Sequence, residues 1–163
     1  MRSAIALVLL AGLCSGQVFQ RAKAPDSALD PARILIGRWT EGAGMVDFRY
    51  DVASQIIVGR ATPNRQVSAW QEMFVIYADG PDNRLHADCF QPGRAVVHYV
   101  LETSDENTVQ FGSAATGQHV TYRRRGSNLL EYRFETSRPG QPNVTTASGV
   151  LTRTTTLIRP LSE

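Results

Sequence analysis

Short apolar runs return about every ten residues from Trp39 onward, and turn residues separate nearly all of them. Val46, Phe48, Tyr50 and Val52 alternate with Asp47, Arg49 and Asp51, the period of two that a strand with one buried face requires. Further runs follow at Ile56 to Val58, Trp70 to Ala78, Leu85 to Phe90, Ala95 to Leu101 and Thr108 to Ser113. Gln118 to Arg124, Leu129 to Thr136 and Val144 to Thr155 complete the series. Between them stand Asp79 to Asn83, Pro92-Gly93, Ser104 to Asn107, Gly126 to Asn128 and Pro139 to Pro142, all of turn chemistry. Connections of hairpin size make a meander, and a long meander removes its unpaired edges by closing on itself. The chain therefore predicts an all-β domain: an up-and-down antiparallel barrel of about 8–10 strands.

The turns also predict a register. A two-residue loop at Pro92-Gly93 pairs Gln91 with Arg94, hence Cys89 with Val96 and Ala87 with His98. A four-residue loop at Ser104 to Asn107 sets Val100 opposite Phe111. Carried onward, one face collects Leu85, Ala87, Cys89, Val96, His98, Val100, Val109, Phe111, Val120, Tyr122, Leu130, Tyr132 and Phe134. The other face collects Asp88, Thr108, Gln110, Thr121, Arg123, Glu131, Arg133 and Glu135. An apolar face that stays in phase through successive turns is the lining of a closed sheet.

The first residues belong to a different kind of segment. Met1-Arg2 carries a positive charge, and Ser3 to Leu13 is apolar but well short of the ~20 residues that span a bilayer. With the small residues Ser15 and Gly16 behind it, 1–16 reads as a secretory signal peptide, so an exported chain, periplasmic or secreted, is expected. Cys14 partly resembles a lipid-attachment site, but the bulky Leu13 before it favours simple removal, and no stable transmembrane anchor is expected. Residues 17–29 read as a linker, and Asp30-Pro31 opens a short helix over 31–36 that stops at Gly37. The barrel domain then covers 30–158. After removal of the leader one cysteine, Cys89, remains, so stability rests on the core and on ladder hydrogen bonds. An unpaired cysteine in a strand-like run reads as a small buried hydrophobe.

Net charge is +2, from sixteen arginines and one lysine against fifteen carboxylates, and the arginine bias points to a GC-rich, bacterial genome. Arg123-Arg124-Arg125 is the only basic run, too short for a nucleic-acid footprint and followed by Glu131, Arg133 and Glu135.

Gly37-Arg38-Trp39, a Gly-x-Trp at the first strand after a short helix, resembles the opening of the lipocalin-like (calycin) β-barrels. The layout also resembles small exported bacterial proteins of unknown function with such a barrel. The resemblance implies that Trp39 plugs one end of the barrel and that a late arginine, Arg153 or Arg159, packs across it. The nitrobindin-like barrels share the same opening and hold heme through a histidine, which adds heme to the cofactor options.

Candidate site residues follow from the predicted inward face. Trp70, Phe74, Phe111, Tyr122, Tyr132 and Phe134 line it, and a barrel of this size can enclose one small apolar or amphipathic ligand. His98 is placed between Val96 and Val100, where an imidazole can ligate iron, orient a polar group, or bond to Ser113 as a core histidine. Glu72 and Glu102 are placed inward too, so an isomerase or hydrolase using His98 with either carboxylate is a second reading. A third is an envelope interaction domain with a filled interior and no pocket. His86 and Asp88 share a face, but no zinc-type spacing of Cys and His occurs. Nucleophile-elbow, phosphate-loop and dinucleotide motifs are likewise missing from the sequence.

Overall fold

The computed structural model describes residues 27–42, 44–62, 72–80, 83–138 and 140–154. Ten strands run in chain order: β1 (Gly37–Glu41), β2 (Gly44–Asp51), β3 (Ile56–Thr62), β4 (Glu72–Asp79), β5 (Arg84–Phe90), β6 (Val97–Ser104), β7 (Thr108–Ser113), β8 (Gln118–Arg125), β9 (Leu129–Thr136) and β10 (Val144–Arg153). Each pairs antiparallel with the next, and β1 pairs with both β2 and β10, so the sheet is a closed up-and-down barrel. Closure gives each of the ten strands a neighbour on both sides. The architecture is compatible with the calycin resemblance. The signal-peptide and most of the linker assignments, Trp70 and Arg159 lie outside the described residues.

One end of the barrel is stoppered. A 3-10 helix, Asp30–Leu35, precedes β1, and its Ala32, Ile34 and Leu35 are buried. It packs against β7 and β8 across the floor. Asp30 stands inside the first turn and not at the cap: Leu29 occupies that position, and the Asp30 carboxylate accepts the Ser27 N–H at 3.2 Å. Trp39 is fully buried above the helix and donates its indole N–H to Leu35 O at 2.7 Å, so the ring can be desolvated without stranding its polar edge. The Arg153 guanidinium lies 5.0 Å from the centre of the Trp39 ring and donates from Nη2 to Ile36 O at 2.5 Å. Arg153 thus takes the part that the resemblance implied. Gly37 makes room for it: its φ is +141°, and a Cβ there would stand 2.8 Å from Arg153 Nη2.

Leu85, Ala87, Cys89, Val109, Phe111, Val120, Tyr122, Leu130 and Tyr132 all face the core, with Phe134 packed against it, as the alternation predicts. Strand β6 does not follow the prediction. The Pro92-Gly93 turn forms, with Arg94 N–H bonded to Gln91 O at 3.2 Å, but pairing resumes only at Val97, opposite Cys89. That is a slip of one residue, which exchanges the two faces of the strand. Tyr99 points inward, 3% exposed, while His98 lies on the outer wall opposite Asp88. The inward placements of Val96, His98 and Val100 are therefore corrected. On the other side of β6 a bulge between Leu101 and Thr103 takes up one residue, and Leu101 faces Phe111. The two irregularities cancel, so every strand from β7 onward keeps the expected phase.

Candidate functional site

The end away from the helix is built from the last residues of β1, β3, β5, β7 and β9 and the first of the strands between them. Here the inward face changes character. Phe74 and Ile76 are followed toward the rim by Glu72, which shares their face and pairs with Ala61. Gln91 donates its amide to the Glu72 carboxylate. Burial raises the Glu72 pKa above the ordinary carboxylate value, and the Gln91 hydrogen bond and the Arg94 charge pull against it. Tyr132 folds across Gly149 and donates its hydroxyl to Glu41 Oε2 at 2.7 Å; a side chain at Gly149 would collide with both. Tyr99 donates to Gln118 Oε1 at 3.0 Å.

Cys89, Tyr99 and Tyr122 lie close enough to Glu72 to feel its charge. Burial, then Glu72, pushes the Cys89 thiol up to about 12. Burial, then Cys89 and Glu72, pushes the Tyr99 hydroxyl up to about 12 as well. Tyr122 is raised by the same causes, and Tyr132 by burial and its bond to Glu41. All are neutral at pH 7. Since the thiolate is the reactive form of cysteine, Cys89 is not a nucleophile here.

Two inward hydroxyls have no partner. Ser113 is 3% exposed, and its Oγ makes no hydrogen bond. Tyr122, 6% exposed among the aromatic side chains, donates its hydroxyl to no acceptor among the described residues. A shallow groove of about 480 Å³ opens at the rim around Glu72, lined also by Arg60, Thr62, Met73, Phe90 and Gln91.

Of the predicted site residues, Phe74, Phe111, Tyr122, Tyr132 and Phe134 share this interior. His98 does not join them. Its side chain is 72% exposed, and its Nδ1 stands 2.7 Å from Asp88 Oδ1. An imidazole on the outer wall cannot ligate iron held inside the barrel, nor does it meet Ser113. Asp88 also accepts the Tyr77 hydroxyl at 3.2 Å, and His86 stacks on Tyr77, so the shared outer face of His86 and Asp88 is a local polar cluster. No three metal-binding side chains gather among the described residues. Nor is any helix among them long and apolar enough to cross a membrane.

Glu102 is also outward. The bulge turns it over Gly112, where it accepts Gln110 Nε2 at 2.7 Å and faces His119 Nδ1 at 2.9 Å. Burial alone would raise its carboxyl, but the Gln110 and His119 hydrogen bonds and the His119 charge bring it below the ordinary value. The pairing of Glu102 with His98 is replaced by one with His119. Sequence reading missed Tyr99 and His119; for Tyr99 a signal existed, since Val97, Tyr99 and Leu101 form a more apolar set than Val96, His98 and Val100.

Compared with known protein families and with curated proteins, the chain matches none.

Proposed function

We propose that the protein binds a small amphipathic molecule in the rim half of its barrel, in the manner of a lipocalin-like carrier. The observation that carries this reading is the inward hydroxyl of Ser113, buried and met by no hydrogen-bond partner among the described residues. An orphaned buried polar group costs about 1–3 kcal/mol, so such groups are ordinarily met by water or a ligand. The lining argues for the ligand's two halves. Phe74, Phe111 and Phe134 offer apolar surface, while Glu72, Tyr99 and Tyr122 offer one carboxylate and neutral hydroxyls. A neutral or cationic head group suits that set; a carboxylate or phosphate head would meet Glu72 without a paired cation inside. Floor and rim also differ as a carrier requires, with the helix, Trp39 and Arg153 sealing the first. The reading includes removal of 1–16 during export, which the intact mass of the secreted chain tests directly.

The enzymatic alternative loses its pairing of His98 with Glu72 or Glu102, because His98 lies outside on Asp88 and Glu102 lies outside on His119. The test is native mass spectrometry after incubation with a membrane lipid extract, backed by titration with N-phenyl-1-naphthylamine. A retained adduct and saturable dye fluorescence are expected. Tyr122→Phe should leave the empty protein as stable as the parent, or slightly more so, and weaken the adduct by about 5–10-fold, the worth of one hydrogen bond. Absence of any adduct together with non-saturable dye uptake overturns the reading.

A further inference from the structure

The outer wall carries an arrangement that the interior site does not use. His119, on β8, bridges Glu102 on β6 and Ser137, just past β9: Nδ1 is 2.9 Å from Glu102 Oε2, and Nε2 is 3.2 Å from Ser137 Oγ. A carboxylate on one ring nitrogen and a hydroxyl on the other is the geometry by which an imidazole activates a serine. The imidazole is held firmly, its side chain 19% exposed, and Gln110 steadies the carboxylate at 2.7 Å. Gly112 is required beneath Glu102, since a Cβ there would overlap the carboxyl group. Ser137 remains reachable from solvent.

Two neighbouring features supply what an acyl-transfer site needs besides the triad. The backbone N–H of Arg138, next after Ser137, donates to no acceptor among the described residues, which leaves one donor beside the serine for an oxyanion. A cleft of about 760 Å³ runs along the outer wall toward His119, lined by Gln110, Thr121, Arg123, Glu131, Arg133 and Glu135. The register places Gln110, Thr121 and Arg133 in one row and Gly112, His119 and Glu135 in the next, so Glu135, which lines the cleft, is the cross-strand neighbour of His119. Polar and charged side chains of both signs make up most of its lining, with Tyr132 and Val150 as its apolar members.

We propose that Ser137, His119 and Glu102 form a hydrolytic site for short-chain acyl esters of polar molecules, separate from the barrel interior. Ser137 Oγ attacks the ester carbonyl carbon as its proton passes to His119 Nε2. The C–O bond to the alcohol breaks, and the alcohol leaves with that proton. Water then attacks the acyl-Ser137, gives its proton to Nε2, and the acid departs as Ser137 regains its hydrogen. Ester and water become acid and alcohol, with no other reactant. Ser137 and His119 touch the reacting atoms; Glu102 is a positioning residue.

The same contacts also tie the β8 and β9 ends together, because Ser137 N–H and Oγ both reach Gly117 O, at 2.7 and 3.2 Å. The experiment separates a clasp from a catalyst. The full chain is incubated with a fluorophosphonate probe and, separately, with p-nitrophenyl acetate and p-nitrophenyl decanoate. Expected are one covalent adduct, mapped by peptide mass to Ser137, and hydrolysis of the acetate in preference to the decanoate. His119→Ala should lower both by ~100-fold or more. Glu102→Gln should lower kcat and leave KM little changed, because the carboxylate orients the imidazole and does not touch the ester. Peptide mapping of the unmutated chain needs no variant to fold. No adduct, an adduct elsewhere, or labelling that His119→Ala leaves unchanged in a folded protein overturns the proposal and leaves a structural clasp.

Discussion

Gly37 and Arg153 should be thermodynamically coupled, and the coupling can be worked from the geometry of the plug. Arg153→Ala removes a cation from the Trp39 face at 5.0 Å and a charged hydrogen bond to Ile36 O. Contributions of ~0.5–2 and ~1.5–3 kcal/mol predict a loss of about 2–5 kcal/mol, or about 4–20 °C in Tm for a chain of this size. Gly37→Ala carries two costs. The backbone at φ +141° strains a side-chain-bearing residue by on the order of 1–3 kcal/mol, and the new Cβ stands 2.8 Å from Arg153 Nη2. The guanidinium must then shift and give up part of what holds it between Trp39 and Ile36. Once Arg153 is already alanine, that second cost disappears while the backbone strain remains. The double variant should therefore be about 1–3 kcal/mol more stable than the sum of the single losses predicts. Urea unfolding followed by tryptophan fluorescence and by far-UV circular dichroism measures each corner of the cycle. Arg38→Ala serves as the control, because its 3.5 Å contact with Asp47 is between half-exposed side chains and should cost less than about 1 kcal/mol. Additivity within about 0.5 kcal/mol, or an Arg153→Ala loss no greater than that of Arg38→Ala, refutes the account of the plug.

Glu72 and Glu102 should act on stability with opposite pH dependence. The raised pKa of buried Glu72 means that its contribution is fully present below the ordinary carboxylate value of 4.5 and is lost as pH rises through its higher folded value; that of Glu102, lowered, is present above 4.5 and is lost as pH falls through its lower folded value. Chemical denaturation from pH 3 to 7 should accordingly show Glu72→Gln gaining on the parent as pH rises and Glu102→Gln losing, and parallel curves would refute the assignment. Cys89, with its thiol raised to about 12, should resist Ellman's reagent at pH 8 in the folded protein and react on addition of denaturant; rapid labelling without denaturant would place it elsewhere. His98→Ala removes an exposed side chain and one bond to Asp88, so ligand uptake should not change and stability should fall by less than about 1 kcal/mol.

The barrel itself was readable from sequence because its signal is redundant. Alternation recurs in many strands, and each strand checks its neighbours: Val109 with Tyr122, Phe111 with Val120, and Tyr122 with Tyr132 all pair as the turns imply. Gly-x-Trp and a late arginine were also enough to locate the plug. The candidate site was less legible because β6 depends on two local irregularities. A proline-glycine turn announces a bend, but it does not say whether Ala95 and Val96 will pair after it. A bulge at Glu102 leaves no mark in composition. Contacts that join distant strands, such as Glu102 to His119 and Ser137, depend on both features at once.

That single-residue slip also decides where chemistry can occur. Had β6 kept the simple register, His98 would have faced Ser113 and given the interior a proton-transfer group. The slip installs Tyr99 instead, and all three histidines of the chain then lie on the outer wall: His86 stacked on Tyr77, His98 on Asp88, and His119 on Glu102. Histidine is the side chain whose ordinary titration falls near neutral pH. The interior retains phenolic hydroxyls and a thiol held neutral by burial, with Glu72 the carboxylate beside them. Such groups donate and accept hydrogen bonds at pH 7 but exchange protons slowly in that range, which suits holding a ligand more than transforming it. Acid–base work therefore belongs to the outside of the barrel, where imidazole, carboxylate and serine meet. The β6 bulge is the common cause, since it returns Phe111 to the lining and swings Glu102 out to His119 in the same step.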